Sequence, residues 1–516
     1  MGLHGSILTV GDVDAALGSH WEQLPASRGL QADLYDSYAW HAAAWRAEPG
    51  LARATRIPAV LDDAGRPVAL LPVTRRPSGA WRSLGVDIRP RSRVVTRGEQ
   101  PDPEGLVALA EALARGGARA LALHRLPSRD PATGSLLDAL RRTGYVVTSR
   151  ERSTDRLAHP AGDWDAHRQE YRSFAKYADR FSRRVSKTWD LTMDTYGTTP
   201  ELDAATGFDL YADLQARSWK GPFDPTTRRR RAELVRLAEL QGTVRIFILR
   251  IAGVPVAGHV WFRTGPVATW MSTAHDGSFD ALSPGTIAQW WAQERLFAEE
   301  PPALLDYLPG GSPQKDRLSP DRPALLEVDA VRSSPVAGVA LPVRREARRV
   351  LPAVRDRSRA QVREWRSRLP RADSRPVRVR TVRPAPGDAP TSAWSLDVED
   401  PAVRRYLAVA CGEPSPESMA RGWDDADTWW GLGPEPVAFV RLGADDGVRE
   451  LVRLGAGLDD GDVVRALAAA VGRPVTLQVP DRTGELRGRP ARVHEPRLPW
   501  PADWTPATPG RPASDA

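Results

Sequence analysis

Apolar positions along residues 1–330 follow two alternating periods. Compact runs such as ALALHRLP (120–127) and VRIFILRI (244–251) have the length of buried strands, bounded by Gly or Pro. PEGLVALAEALARGG and ATGSLLDALRRTG instead carry apolar residues three and four apart and end in Gly, which predicts amphipathic helices. In residues 1–150, IPAVLDDAGRPVALLPVTRR reads as two strands around the turn Asp63-Ala64-Gly65-Arg66, and YVVTSRE as a further strand. Residues 151–330 repeat the plan with more strand. A basic helical stretch, DAHRQEYRSFAKYADRFSRRVSK, is followed by the helix DLYADLQARSWKG and by an arginine run, Arg228 to Arg231, that leads into RAELVRLAELQG. VRIFILRI, VPVAGHVWFR and VATWMSTAH then predict an antiparallel meander, because their turns at Ala252-Gly253 and Thr264-Gly265 are so short. A Ser283-Pro284-Gly285 corner, an amphipathic helix to about Glu299 and the strand LLDYLP complete the unit.

The pattern changes after residue 330. Between 331 and 391, Val343, Ala347, Val350, Val354, Val362, Trp365 and Leu369 fall on one helical face with Arg over much of the remainder, and the linker RPAPGDAP follows. Residues 392–505 predict a small α/β accessory module, and 506–516 a disordered tail. The fold class expected is α/β (α+β): two similar domains at 1–150 and 151–330, a basic helix with its linker, and the small module.

Charge sharpens this division. The formal net charge is +7, but residues 332–383 hold sixteen Arg against four acidic residues, a local +12, so the remainder stands at −5. The basicity belongs to one segment. A single cysteine, Cys411, excludes an internal disulfide, and the nine histidines show no ligand spacing, so no metal is expected. No apolar run approaches the roughly 18–20 residues of a membrane span. The first residues lack the basic and apolar regions of a signal peptide, and a reducing cytoplasm is the expected setting.

Four motifs occur in a fixed order: SWKG at 218–221, the meander RIFILRIAGVPVAGHVWFR, HD…SPG at 275–285 and LDYLPGGSPQK at 305–315. Together they resemble the CelD/BioF-like acetyltransferase domain family of the GNAT superfamily, which is related to the Fem-type aminoacyl transferases. The similarity spans about residues 30–325. It implies tandem GNAT-like domains with mixed sheets, and transfer of an acyl group from acetyl-CoA or another acyl-CoA co-substrate to an amine.

The resemblance also implies roles. Ser283, Gly285 and Thr286 would hold the donor's phosphates at the start of a helix, where the dipole favours an anion. Lys315 would stabilise the carbonyl oxyanion, and Asp276 or Asp306 would accept the amine proton. Trp219 and Lys220, expected on a helix, and Trp40 would face the substrate. The chain departs from the usual pattern at three points: Leu282 and Ile287 flank Gly285 where GNAT cradles have other residues, Pro284 removes an N–H, and Gln314 stands where the family has Tyr.

Each residue has a plainer reading. Lys315 would be a solvated lysine, Asp306 half of a structural ion pair, Asp276 a turn residue bonded to its own backbone, Trp40 and Trp219 core aromatics. His259 and His275 read as histidines accommodated beside apolar strands, and Arg228 to Arg231 as a solvated face or a phosphate contact. The acceptor expected is a small-molecule, glycan or peptide amine. For 343–369, packing or contact with an anionic membrane is favoured over binding nucleic acid. Two rivals remain open: aminoacyl transfer from tRNA in the Fem manner, and a non-catalytic binding protein acting through its Arg-rich helix.

Overall fold

The computed structural model describes residues 2–76, 79–84 and 90–332, and in the last third 377–382, 393–395, 401–411, 428–432, 438–442, 448–453, 475–480 and 492–494. The Arg-rich helix expected at 343–369, its linker and the tail lie outside the described residues. So do the membrane and tRNA contacts assigned to that helix.

Capping and burial explain the first helices. In Pro103–Arg115, the Asp102 carboxylate accepts the Glu104 N–H, Pro103 takes the first helical position, and Leu106, Leu109, Ala110 and Leu113 are buried. Asp130 caps Pro131–Arg142 in the same way, with Leu136, Leu137 and Leu140 inward. Both helices pack on a nine-stranded sheet in the order Val95–Thr96, Pro67–Leu70, Thr55–Leu61, Val73–Arg75, Ala80–Ser83, Ala120–Pro127, Ala324–Arg332, Tyr145–Thr154, with His4–Leu8 beside Thr55–Leu61. One pair, Ala80–Ser83 with Ala120–Pro127, is parallel, so the sheet is mixed.

The strand Ala324–Arg332 runs antiparallel between Ala120–Pro127 and Tyr145–Thr154. The topology thus places it with the first sheet, whereas division at 150 and 330 assigned it to the second unit. Local pattern cannot reveal this, because pairing partners some 180 residues apart leave no trace in a window of ten.

The second sheet orders Leu191–Tyr196, Val244–Ile251, Val254–Thr264, Val267–His275, Leu304–Asp306 and Leu157–Ala158. The three middle strands form the expected meander, and Val267–His275 pairs in parallel with Leu304–Asp306. Helix Pro284–Glu299 covers one face, burying Ile287, Trp290 and Leu296. On another side, helix Pro225–Glu239 packs against both Ala204–Ala216 and Tyr38–Ala47. Trp40, expected to face substrate, is instead a core residue. It is buried 4.5 Å from the Tyr35 ring, in a cluster with Phe208 and Leu214.

A buried ionic seam joins the two sheets. Arg91 pairs through Nε with Asp33 (3.0 Å), through Nη1 with Asp155 (3.1 Å) and through Nη2 with Asp306. Arg93 reaches Asp33 and Asp130, while Arg28 bonds both oxygens of Asp130 (2.8 and 2.9 Å) and pairs with Asp36. Burial pushes the Asp155 carboxyl up, and Arg91 opposes that. Removing one partner of such a seam strands a buried charge, at a cost of about 3–5 kcal/mol.

In the last third, helix Pro401–Ala410 packs against the 3-10 turn Gly277–Leu282. Tyr406, Leu407, Ala410 and Cys411 share one apolar cluster with Phe279, Leu282 and Ile287, and Tyr406 stacks 6.3 Å from Trp189. Strands Ala393–Ser395, Thr428–Leu432, Ala438–Leu442, Val448–Arg453 and Arg492–His494 form a further sheet. Val377–Val382, from the expected linker segment, pairs with Val475–Pro480.

Candidate active site

The strands Val267–His275 and Leu304–Asp306 pair only from Val267/Leu304 to Thr269/Asp306, although the first continues for six more residues. Beyond that point they part. A bulge sits at the same place: Val260 faces Ser272 while Trp261 faces Trp270, leaving Met271 as the extra residue. The fork separates the strand segment from Trp270 to His275 from the chain running from Leu308 to Lys315.

Lys315 stands at the fork. Ser312 caps its short helix, Pro313–Leu318, by accepting the Lys315 N–H. The ammonium donates to the carbonyls of Leu308 (3.3 Å) and Pro309 (3.4 Å) and lies 5.9 Å over the Trp270 ring. Burial lowers its pKa, opposed by the charge of Asp306. Trp270 is itself fixed, because its indole N–H donates to His259 Nδ1 at 2.9 Å. His259 is fully buried and held far below the usual histidine range, at about 3, so it is neutral; its Nε2 then donates to Thr273 Oγ1 at 3.2 Å.

Lys220 meets the same strand segment farther along, at Ser272 and Thr273. Helix Ala204–Ala216 ends before it, so Trp219 and Lys220 lie in a turn and not on the helix that was expected. The Lys220 ammonium donates to Thr273 O (2.6 Å) and Ser272 Oγ (3.4 Å). Although the residue as a whole is exposed, its pKa falls to about 8, first through desolvation and then through the charges of Arg231 and Lys315. Trp219 is 65% exposed and rests 4.8 Å from the His275 ring.

The two expected proton acceptors are otherwise engaged. Asp276 accepts from Arg217 Nε (2.9 Å) and from the Ser278 backbone N–H (3.1 Å) and hydroxyl, which caps the 3-10 turn. Asp306 is 2% exposed, bound to Arg91 and to the Leu308 N–H at 2.8 Å. Their geometry is that of structural anchors. Asp306 fixes the fork and Asp276 the loop behind it, which argues against either as a free base.

The Ser283–Thr286 corner offers an anion little. Ser283 adopts a left-handed backbone (φ 52°) and its hydroxyl caps nothing. Thr286 N–H is spent on Ser283 O (3.1 Å) and Pro284 has no N–H, so among the described residues only the Gly285 amide of this turn lacks an acceptor. Gly285 is small for a local reason: a Cβ there would stand 3.1 Å from His275 Nδ1.

Residues 167–316, which contain this fork, match the family model described as Acetyltransferase (GNAT) domain. The chain carries a GNAT-type acetyltransferase domain and is an acyltransferase. No curated protein matches the sequence. Solved structures resembling the chain include a conserved protein from Bacteroides thetaiotaomicron (14% identity, 61% of this chain and 97% of that one, TM-score 0.41). FemX (10%, 63% and 96%, 0.42) and a tandem GNAT protein from the clavulanic acid biosynthesis pathway (16%, 64% and 100%, 0.37) are others. Likenesses this distant carry no weight for the reaction. Among the described residues of the GNAT domain and its flanks, no group of three or more His, Cys, Asp or Glu is placed to hold a metal, and no helix is long and apolar enough to cross a membrane.

Sequence reasoning missed the His259–Trp270 pair that sets the floor of the fork, and it named Arg231 only within the run Arg228 to Arg231, as a solvated face or a phosphate contact, without separating it from its neighbours. The arginine had a legible signal. Positions 231, 234, 235 and 238 share one helical face, and Leu234, Val235 and Ala238 on it are buried.

Proposed function

We propose that the GNAT domain passes an acyl group, acetyl in the first instance, from acyl-CoA to an amine held between Lys220, Trp270 and Lys315. The observation that carries this is the fork itself: a parallel strand pair that parts after Asp306, with a half-buried lysine over the aromatic floor where it opens. The amine nitrogen attacks the acyl carbon; the C–N bond forms, the C–S bond breaks, and the CoA thiolate leaves. Lys315 stabilises the charge building on the carbonyl oxygen, a contribution of about 3–4 kcal/mol for a well-placed donor. Lys220, whose pKa of about 8 leaves it partly neutral, accepts the amine's proton, the role assigned from sequence to Asp276 or Asp306. The Ser283 hydroxyl and Gly285 N–H meet the donor's phosphates. The acceptor is a small-molecule, glycan or peptide amine, and a cytoplasmic setting, where acyl-CoA is available, belongs to the same reading.

A specific observation favours a second donor. A corner with a single free N–H is a poor cradle for a pyrophosphate, and an aminoacyl ester of tRNA would require none there. The exposed Arg of helix Arg172–Ser186 supply charge for such a polyanion. Melting-temperature shifts with a panel of acyl-CoAs separate the two, since a ligand bound only by the folded chain raises stability by mass action. A shift with acetyl-CoA, and acetyl transfer insensitive to ribonuclease, supports the first. No response to any CoA ester, with transfer from charged tRNA, replaces it by the second.

A further inference from the structure

We propose that the acceptor of this cleft carries, beside its amine, an oxyanion group (carboxylate or phosphate) that seats on the guanidinium of Arg231. This rests on the acyl-transfer reading of the same cleft and names the class of acceptor. Arg231 lies on helix Pro225–Glu239, three and four residues before the buried Leu234 and Val235, so it is carried inward. Its guanidinium stands 5.2 Å over the Phe223 ring, and that ring lies 6.4 Å from Tyr211. The Tyr211 hydroxyl is 2.5 Å from Ser272 Oγ, the oxygen that Lys220 approaches. Lys220 in turn bonds the Thr273 carbonyl, and Thr273, His259 and Trp270 lead to Lys315. An unbroken run of contacts therefore joins Arg231 to both lysines.

What distinguishes Arg231 is an absent partner. Three other arginines of its helix are neutralised, Arg228 by Asp209 (2.9 Å), Arg230 by Glu48 (3.0 Å) and Arg236 by Glu233 (2.8 Å), and Arg229 is exposed to solvent. Among the described residues Arg231 has no ion pair, and its Nη1, though buried, has no hydrogen-bond partner. Nor does a carboxylate stand within 4 Å of the Lys220 or Lys315 ammonium among those residues. A buried charged donor left unmade is costly, and a site keeps one where a ligand completes it. Three cations from three separate elements thus lie near one another with no carboxylate bonded to any of them, the charge of Asp306 reaching Lys315 only from farther off. The planar fork of Arg suits the two oxygens of a carboxylate or phosphate better than an ammonium would.

The test is calorimetry on the full chain with two matched pairs of probes: β-alanine against β-alaninamide, and O-phosphoethanolamine against ethanolamine. The anionic member of one pair is expected to bind at least about tenfold more tightly than its neutral twin, the scale of a charge-assisted hydrogen bond. Which pair shows the preference separates carboxylate from phosphate. Arg231→Gln should abolish the preference, Arg231→Lys should leave an intermediate one, and Arg229→Gln, an exposed position on the same helix, should keep it. Melting curves confirm that each variant is folded; should Arg231→Gln fail to fold, Arg231→Lys decides. Equal binding within both pairs, no binding by any probe, or a preference that survives Arg231→Gln overturns the proposal. Because calorimetry requires no turnover, a chain that prefers anions yet transfers no acyl group refutes the acyl-transfer reading alone. A chain that acylates neutral and anionic amines alike refutes this proposal alone.

Discussion

Lys220 supplies the most direct test of the cleft, because its environment fixes a quantity that chemistry can read. Desolvation, reinforced by Arg231 and Lys315, moves the pKa from 10.5 to about 8. At pH 7 an ordinary lysine is neutral in about one molecule in three thousand, and one with a pKa of about 8 in about one in ten, a gain of about three-hundredfold in free amine. Trace labelling with acetic anhydride, followed by peptide mass spectrometry, measures that fraction residue by residue. Labelling of Lys220 should rise about tenfold between pH 7 and pH 9 and level off there, while that of an ordinary lysine would keep climbing. Arg231→Gln should move the half-point upward. The sign for stability follows. A lysine whose folded pKa lies below its unfolded value costs stability while it is charged. The cost is full below about pH 8 and gone above about pH 10.5. Lys220→Met should therefore melt higher than the parent at pH 7 and lose that advantage above pH 10.5. Labelling of Lys220 that is still proportional to hydroxide at pH 9.5 would refute the reasoning, and with it the proton-accepting role.

Other outcomes follow from single contacts. Lys315→Ala should lower kcat by about 10²–10³ with little change in the KM for donor, as loss of an oxyanion contact does in steady-state kinetics. Arg91→Leu should cost about 3–5 kcal/mol in urea unfolding, because three carboxylates lose their shared cation. Asp306→Asn distinguishes anchor from base: it should lower stability more than kcat, and the reverse ratio would restore Asp306 to the chemistry. Tyr406→Ala removes a ring 1% exposed from the cluster behind the corner and should destabilise by about 3–5 kcal/mol, read as a shift in the urea midpoint.

Local pattern alone determined the meander, the two Gly-terminated helices of the first domain, the Ser283-Pro284-Gly285 corner and the order of motifs that marks the GNAT domain. These features lie within a turn or a few residues of the side chains that cause them, so a short window contains the whole cause. Tertiary structure decided the rest. Asp306 looks like a catalytic carboxylate in an apolar strand until Arg91, 215 positions away in the chain, is found bound to it. Trp40 looks like a cleft aromatic until Phe208 and Leu214 enclose it, and Arg231 like surface until the aromatics beneath it are seen. For Asp306 and Trp40 the partners that fix the charge or bury the ring come from distant segments, and no short window holds both members of such a pair. Phe223 is only eight positions from Arg231, but their contact depends on how the chain folds between them.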